Sequence, residues 1–447
     1  MTQEAFSLKA VEPFDARKDM QRCTVPGVGM GFATNGRNAN ASNADFWRHR
    51  DGAIMVRITW MDYFWSFRAL LASGKPIPEE AVALAHFEEH VQQELYRWMT
   101  EDAADMPPFD EWPHRGENHM SMIDRAQGCL LGALIGDAAG ATLEFLGRKP
   151  TGDDLDRALA MSGGGVFRLA PGQINDDGEL TLALAHALID GNGSYDLDKV
   201  AARYKAWFDS GPFDIGGTTH SALSVQVQDG DSLGEAMTQR AQARNMASRA
   251  NGALMRATPL GIWAAHQTVE EAIRAARADA CLTHPNPSCQ WANVAYVLAI
   301  RHLILHGGDS SGAIAAARDA LEAGLEEGAE EVLGWLEDDC AGVLPDCHPQ
   351  AGFVKIAFTH AFHHLKMGSV YEEVLRQVLS GGGDTDTNAY IVGGLVCAHC
   401  GVQAVPPLMV KAVLECDTQR GRHRPGWLRT GGGKFKVVHS LLGQLAH

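Results

Sequence analysis

The chain has 447 residues, 45% hydrophobic and 21% charged, with a formal net charge of −17. That length supports one large domain or two smaller ones, and the composition is that of a globular protein with a sizeable core. The acidic balance argues against a nucleic-acid binder, which carries a basic face, but leaves room for an anionic ligand if bound cations invert the local potential.

No uncharged apolar stretch reaches the length of a membrane span. No basic segment followed by an apolar run opens the chain. The nine cysteines are scattered, so a reducing cytoplasm is the expected setting. Cys397-Ala398-His399-Cys400 has the spacing of a redox motif but lies in an apolar helical run, where free cysteine packs as a small hydrophobe.

In chain order, residues 1–118 read as an extension distinct from the rest. Residues 26–43 are rich in Gly, Asn and Ala and predict loop or extended chain. Residues 54–72 hold an aromatic cluster of Trp60, Tyr63, Phe64, Trp65 and Phe67. Residues 79–99 predict an amphipathic helix, and the Pro-containing acidic stretch 102–117 predicts a linker.

From Met120 onward helix follows helix: Ala- and Leu-rich runs recur at 123–141, 179–191, 197–209, 219–228, 269–280, 288–306, 310–323, 351–366, 370–379 and 387–401. Alternating β-branched patterns are nearly absent. Residues 119–447 therefore predict one all-α domain. Gly128, Gly132, Gly136 and Gly140 recur every fourth residue and give one helix a bare face. Such a helix forgoes roughly 1 kcal/mol per glycine relative to alanine, so close approach of another backbone near a site is expected.

Two acidic stretches carry the chemistry. Asp384 and Asp386, with Thr387, follow Gly381-Gly382-Gly383 at a loop-to-helix junction. Asn175, Asp176 and Asp177 precede the helical run at 179–191. Carboxylate, amide and hydroxyl oxygens are the ligands of a hard divalent cation, and adjacent buried carboxylates are costly without one. Helix capping is the competing reading of both stretches. His360, His363 and His364 have helix-face spacing compatible with zinc, with no further ligand evident.

These pieces, together with Gly136-Asp137-Ala138-Ala139-Gly140 and Glu144, Gly211-Pro212-Phe213-Asp214-Ile215-Gly216, Ser248 with Asn251-Gly252-Ala253-Leu254-Met255-Arg256, and Thr283-His284-Pro285, occur in the order seen in the ADP-ribosylglycohydrolase family. From about residue 123 to 430 the chain resembles that family. The resemblance implies an all-helical domain with two Mg²⁺ ions, Mn²⁺ being the alternative, held by Asn175, Asp176, Asp177, Asp384, Asp386 and Thr387. Asn175 stands where Thr or Ser is usual, and Gly178 where Thr is usual.

The implied substrate is an ADP-ribosylated protein, with arginine the expected modified side chain. Glu144 and Asp214 are the implied catalytic carboxylates. Ser248, Asn251 and the Gly252 backbone fall on the family's diphosphate loop, His284 on a position that packs near the phosphates or the adenosine, and Arg249 could pair with phosphate. Arg256 is expected to be a buried structural charge.

The resemblance extends to a branch of immunity proteins that oppose ADP-ribosyltransferase toxins delivered by type VI secretion and carry an N-terminal extension. It implies that residues 1–118 bind a cognate toxin; the alternative is that the aromatic cluster only packs the extension. Two other readings stay open: a non-catalytic binding protein on a degenerate hydrolase scaffold, and a two-metal phosphoesterase acting on the pyrophosphate.

Overall fold

The computed structural model describes residues 117–430 except 229, 325 and 341, together with eight strands between residues 6 and 83. The chain divides into two compact units, Met1–Met120 and Ser121–His447.

In the first unit the described residues form strands β1 (Phe6–Ala10), β2 (Met20–Pro26), β3 (Gly31–Thr34), β4 (Arg37–Asn40), β5 (Asn43–His49), β6 (Ile54–Trp60), β7 (Tyr63–Leu71) and β8 (Ala81–Ala83). Six make an antiparallel sheet in the order β2-β5-β6-β7-β1-β8, and β3 pairs with β4. The aromatic residues Trp60, Tyr63, Phe64, Trp65 and Phe67 fall on adjacent strands β6 and β7, with Trp60 opposite Tyr63 and Val56 opposite Phe67. The helix expected over 79–99 is corrected at its start, since Ala81–Ala83 pairs with Ser7–Lys9. Alanine favours helix and valine favours strand, and here pairing to β1 overrides the helical pattern. Residues 84–99, and the linker expected before 117, lie outside the described residues.

The second unit is helical, as its periodicity predicts. Its described α-helices are α1 (Glu117–Gly140), α2 (Gly152–Leu159), α3 (Asp176–Asp190), α4 (Leu197–Asp209), α5 (Gly217–Leu223), α6 (Leu233–Asn245), α7 (Thr258–Ala264), α8 (Val269–Cys281), α9 (Pro287–Leu305), α10 (Ser310–Ala323), α11 (Glu327–Cys340), α12 (Val354–Met367), α13 (Tyr371–Ser380), α14 (Thr385–Cys400) and α15 (Pro407–Leu414). Helix α9 is buried along nearly its whole length and packs on α7, α8, α10 and α11. Helix α14, also buried nearly end to end, packs on α12 and α13.

Two helical readings shift. The run at 219–228 is helical only to Leu223, beyond which Ser224 caps the helix. Helices α2, α6, α7, α11 and α15 have no counterpart among the sequence runs, because they are short or, like α6, largely polar.

The glycine face of α1 lies against α14. A Cβ on Gly128 would sit 2.6 Å from the Cys397 carbonyl oxygen, on Gly136 2.2 Å from that of Ala389, and on Gly140 2.4 Å from the Asp386 Cα. The Thr385 hydroxyl donates to the Gly140 carbonyl at 2.8 Å. Backbone contact along this seam fixes where α14 begins, and so where Asp384, Asp386 and Thr387 stand.

Cys397 is fully buried in the same seam, with the Cys400 sulfur 3.9 Å from its own, in keeping with a packing role. All seven described cysteines are free. No helix among the described residues is long and apolar enough to cross a membrane.

Candidate metal and substrate site

Helices α3 and α14 bring their N-terminal ends together. Asn175 is the N-cap of α3, and its side-chain oxygen accepts from the Asp177 amide at 3.3 Å. Its Nδ2 donates to Asp386 Oδ2 at 2.6 Å, bridging the two helix starts. At α14 the N-cap residue Asp384 makes no side-chain cap bond. Its Oδ2 instead accepts from the Asn251 amide at 2.8 Å. The capping reading therefore describes Asn175 and does not describe Asp384.

Around this junction Glu144, Asp176, Asp214, Asp384, Asp386 and Thr387 line one pocket of about 230 Å³. Asp177 stands just behind it, 1% exposed, where its Oδ2 accepts from the Thr387 hydroxyl at 3.4 Å. The pocket lining includes no lysine or arginine.

Burial, and next the repulsion from neighbouring carboxylates, drives up the pKa values of Glu144, Asp176, Asp177, Asp214 and Asp384. Glu144 is pushed to about 12 by burial and the neighbouring Asp386, and Asp214 to about 6 by burial and Asp386. Asp176, Asp177 and Asp384 are raised well above the ordinary carboxylate range by the same causes. Two buried oxygens, Asp177 Oδ1 and Glu144 Oε2, have no hydrogen-bond partner. Orphaned carboxylate oxygens in and just behind a pocket without lysine or arginine are the environment that a hard cation satisfies. Oxygens of Glu144, Asp214 and Asp386 converge within 4.8 Å of one another, a triad able to bind a metal ion. The histidine set does not join it: His360 Nε2 bonds the Pro345 carbonyl at 3.0 Å, and no metal-ligating cluster forms there among the described residues.

The residues expected at the phosphates divide. Gly252 and His284 line the pocket, and a Cβ on Gly252 would come within 2.8 Å of the His284 ring. Burial, then Arg256, depresses the His284 pKa to about 3, so the ring is neutral. Asn251 also lines the pocket, but its side-chain amide is spent on Asp384. Ser248 stands outside the lining, its hydroxyl 2.9 Å from that of Thr218, which does line it. Arg249 points away from the pocket. It pairs with Glu331, lies over the Phe353 ring at 4.8 Å, and lines a neighbouring cleft.

Three buried groups support the site: Asp137 of the Gly136–Gly140 motif, Arg256, which is the buried structural charge expected from the sequence, and Arg424, which carries no sequence signal of its own. Asp137, fully buried, accepts from the Asn175 and Gly178 amides at 3.1 and 2.8 Å and so holds the acidic turn. A Cβ on Gly178 would stand 2.6 Å from Asp137 Oδ2, so this chain has no room for the usual threonine. Arg256, 0% exposed, pairs with Asp279 at 3.1 Å and donates to the Gly252 carbonyl at 3.3 Å.

The third is Arg424. It reaches from beyond α15 to Glu179 on α3, where the Trp207 indole also donates at 2.7 Å. The same guanidinium donates to the Ser210 and Gly211 carbonyls, at the start of the loop that carries Asp214. Only the 245-residue separation hid this pairing, since each residue alone reads as a surface charge.

A model of the ADP-ribosylglycohydrolase family matches residues 118–430. The chain belongs to this family. Among its relatives is the ADP-ribosyl-[dinitrogen reductase] glycohydrolase of Rhodospirillum rubrum, 28% identical over 64% of this chain and 89% of that one. The ADP-ribosylarginine hydrolase Tri1 of Pseudomonas putida (strain GB-1) is 29% identical over 65% of this chain and 74% of that one. A solved structure of an ADP-ribosylglycohydrolase-related protein complex superposes with a TM-score of 0.54 at 25% identity, covering 73% of this chain and 99% of the other.

Proposed function

We propose that this protein is a Mg²⁺-dependent hydrolase that removes ADP-ribose from arginine side chains of modified proteins. The observation that carries the reading is the carboxylate-lined pocket with orphaned oxygens and no lysine or arginine, in a chain of the ADP-ribosylglycohydrolase family.

Asn175, Asp176, Asp177, Asp384, Asp386 and Thr387 would hold two ions, and Mn²⁺ could replace Mg²⁺. When bound, these ions supply a template for the distal ribose hydroxyls and lower the pKa of a water. The anomeric carbon–nitrogen bond breaks, the water oxygen bonds to that carbon, and the water's proton ends on the departing guanidine nitrogen. Glu144 and Asp214, whose oxygens converge with those of Asp386 within 4.8 Å, would carry that proton. The surrounding carboxylates favour the positive charge that develops on the sugar.

Neutral His284 and the Gly252 backbone would meet the diphosphate, with Asn251 locking Asp384 and Ser248 supporting Thr218. The name of the Pseudomonas putida relative supports arginine as the modified side chain.

The decisive experiment measures ADP-ribose released from arginine-ADP-ribosylated protein. Release in Mg²⁺ that is lost in EDTA and in Asp384→Ala/Asp386→Ala is expected. Phosphate-containing fragments in place of intact ADP-ribose would indicate a phosphoesterase.

A second reading, a binding protein on a non-catalytic scaffold, is favoured by one observation. Asn175 directs its donor nitrogen, not its oxygen, at Asp386. No release in Mg²⁺ or Mn²⁺ from arginine- or serine-linked substrates would select it.

We also propose residues 1–118 as a separate domain that binds a cognate ADP-ribosyltransferase toxin in the cytoplasm, making the protein an immunity factor of the type VI kind. The family match beginning at residue 118 supports a separate role for this segment. Co-purification of the toxin with the full chain but not with residues 119–447 would test it.

A further inference from the structure

A second cavity, of about 630 Å³, lies across the wall made by Glu144, Phe145 and Asp384, which line both it and the metal pocket. Its floor is the backbone of Gly382 and Gly383, both at positive φ. A Cβ on Gly382 would stand 3.2 Å from His348 and 3.4 Å from Pro150, so the bare glycine keeps the floor clear. Its outer end is formed by Arg148, Lys149 and His348. The Arg148 guanidinium is held by Asp154 at 2.6 Å. Lys149 is exposed and makes no ion pair among the described residues.

The cavity thus runs from carboxylates at its inner end to a cation at its mouth that has no ion pair among the described residues, on a chain whose net charge is −17. Phe145, 65% exposed, lines both cavities and makes an edge-to-face contact with Phe167. A guanidinium stacks well on an aromatic face and is drawn to carboxylates. The scissile bond of an ADP-ribosylated arginine joins a sugar to a side chain, so a site that cuts it needs space on both sides of the reacting carbon. The metal pocket with Gly252 and His284 supplies the sugar-phosphate side.

We infer that the second cavity is the acceptor-side subsite, taking a target segment in which the modified arginine is flanked by aspartate or glutamate, the acidic neighbour meeting Lys149. This rests on the arginine-hydrolase reading proposed above. The arginyl chain passes the Phe145 ring toward Glu144 and Asp384, while its flanking carboxylate stays at the mouth. Since the contact with Lys149 is solvated, its effect is modest and falls as salt rises.

The test uses the full chain with Mg²⁺ and three substrates: two ADP-ribosylated peptides that differ only in Glu or Lys beside the modified arginine, and ADP-ribosylagmatine, which has no flanks. Wild type is expected to favour the Glu peptide about fivefold in kcat/KM, through KM. Lys149→Glu should reverse that order and Lys149→Arg should keep it. The same flank preference in wild type and Lys149→Glu, or an equal fall on all three substrates in the variant, would overturn the subsite while leaving the hydrolase reading intact. Absence of release from all three by wild type would overturn the hydrolase reading, and the subsite with it.

Discussion

The guanidinium of Arg424 grips both carboxylate oxygens of Glu179, at 2.6 and 2.8 Å, two residues beyond Asp177. Both side chains are almost wholly buried, 4% and 1% exposed. The pair joins the helix that presents Asp176 and Asp177 to the loop that presents Asp214, through the Ser210 and Gly211 carbonyls.

Arg424→Ala leaves Glu179 buried without its cation. Breaking a buried pair in this way costs about 3–5 kcal/mol, so the denaturant midpoint should fall markedly. Arg424→Met with Glu179→Met should recover much of that loss, because no charge is then stranded. Unchanged stability in Arg424→Ala would show that the clamp contributes nothing.

Metal binding should be linked to pH. Asp214 has a folded pKa raised to about 6, above the ordinary carboxylate value, and Asp176, Asp177 and Asp384 are raised too. A raised carboxyl contributes stability that is fully present below its unfolded pKa and lost as pH rises through the folded value. Metal-free protein should therefore lose thermal stability from about pH 4 to beyond pH 6 through these groups. Mg²⁺ stabilises by binding the deprotonated set, so its effect on Tm should be larger at pH 8 than at pH 5. Scanning calorimetry with EDTA or Mg²⁺ checks this, and an equal shift at both pH values would refute the linkage.

His284 works in the other direction. Its folded pKa is depressed to about 3, below the unfolded value of about 6.5. Its contribution is present above pH 6.5 and is lost as pH falls toward 3, because the unfolded chain gains the proton first. In His284→Gln the fall in stability across that window should be shallower than in wild type, read by denaturant titration at several pH values.

Gly178→Thr should lower both metal affinity and stability, since even a Cβ there meets Asp137, Ile174 and Leu134 within 2.9 Å. Overpacking of this kind typically costs about 1–3 kcal/mol. The Mg²⁺-induced rise in Tm should shrink with it, because Asp137 holds the turn that carries Asn175 and Asp176. A variant as stable and as responsive to Mg²⁺ as wild type would show that the turn can yield.

Much of this molecule could be read from the residues in order. The 3.6-residue periodicity yields the long helices, because each must bury an apolar stripe. The four-residue glycine spacing on α1 predicts its backbone contact with another helix, and the contact made is with α14. The acidic stretches mark the two helix ends that meet, because packed carboxylates are tolerable only where a cation can join them. Tertiary structure alone decided the rest. It placed Asn251 on Asp384 and Ser248 behind Thr218, turned Arg249 toward Glu331 and Phe353, and drew Arg424 across the chain to Glu179. It also paired Ala81–Ala83 into a sheet. Local sequence holds no record of these outcomes, since each depends on which distant group is left with an unmet hydrogen bond or charge once the helices have packed.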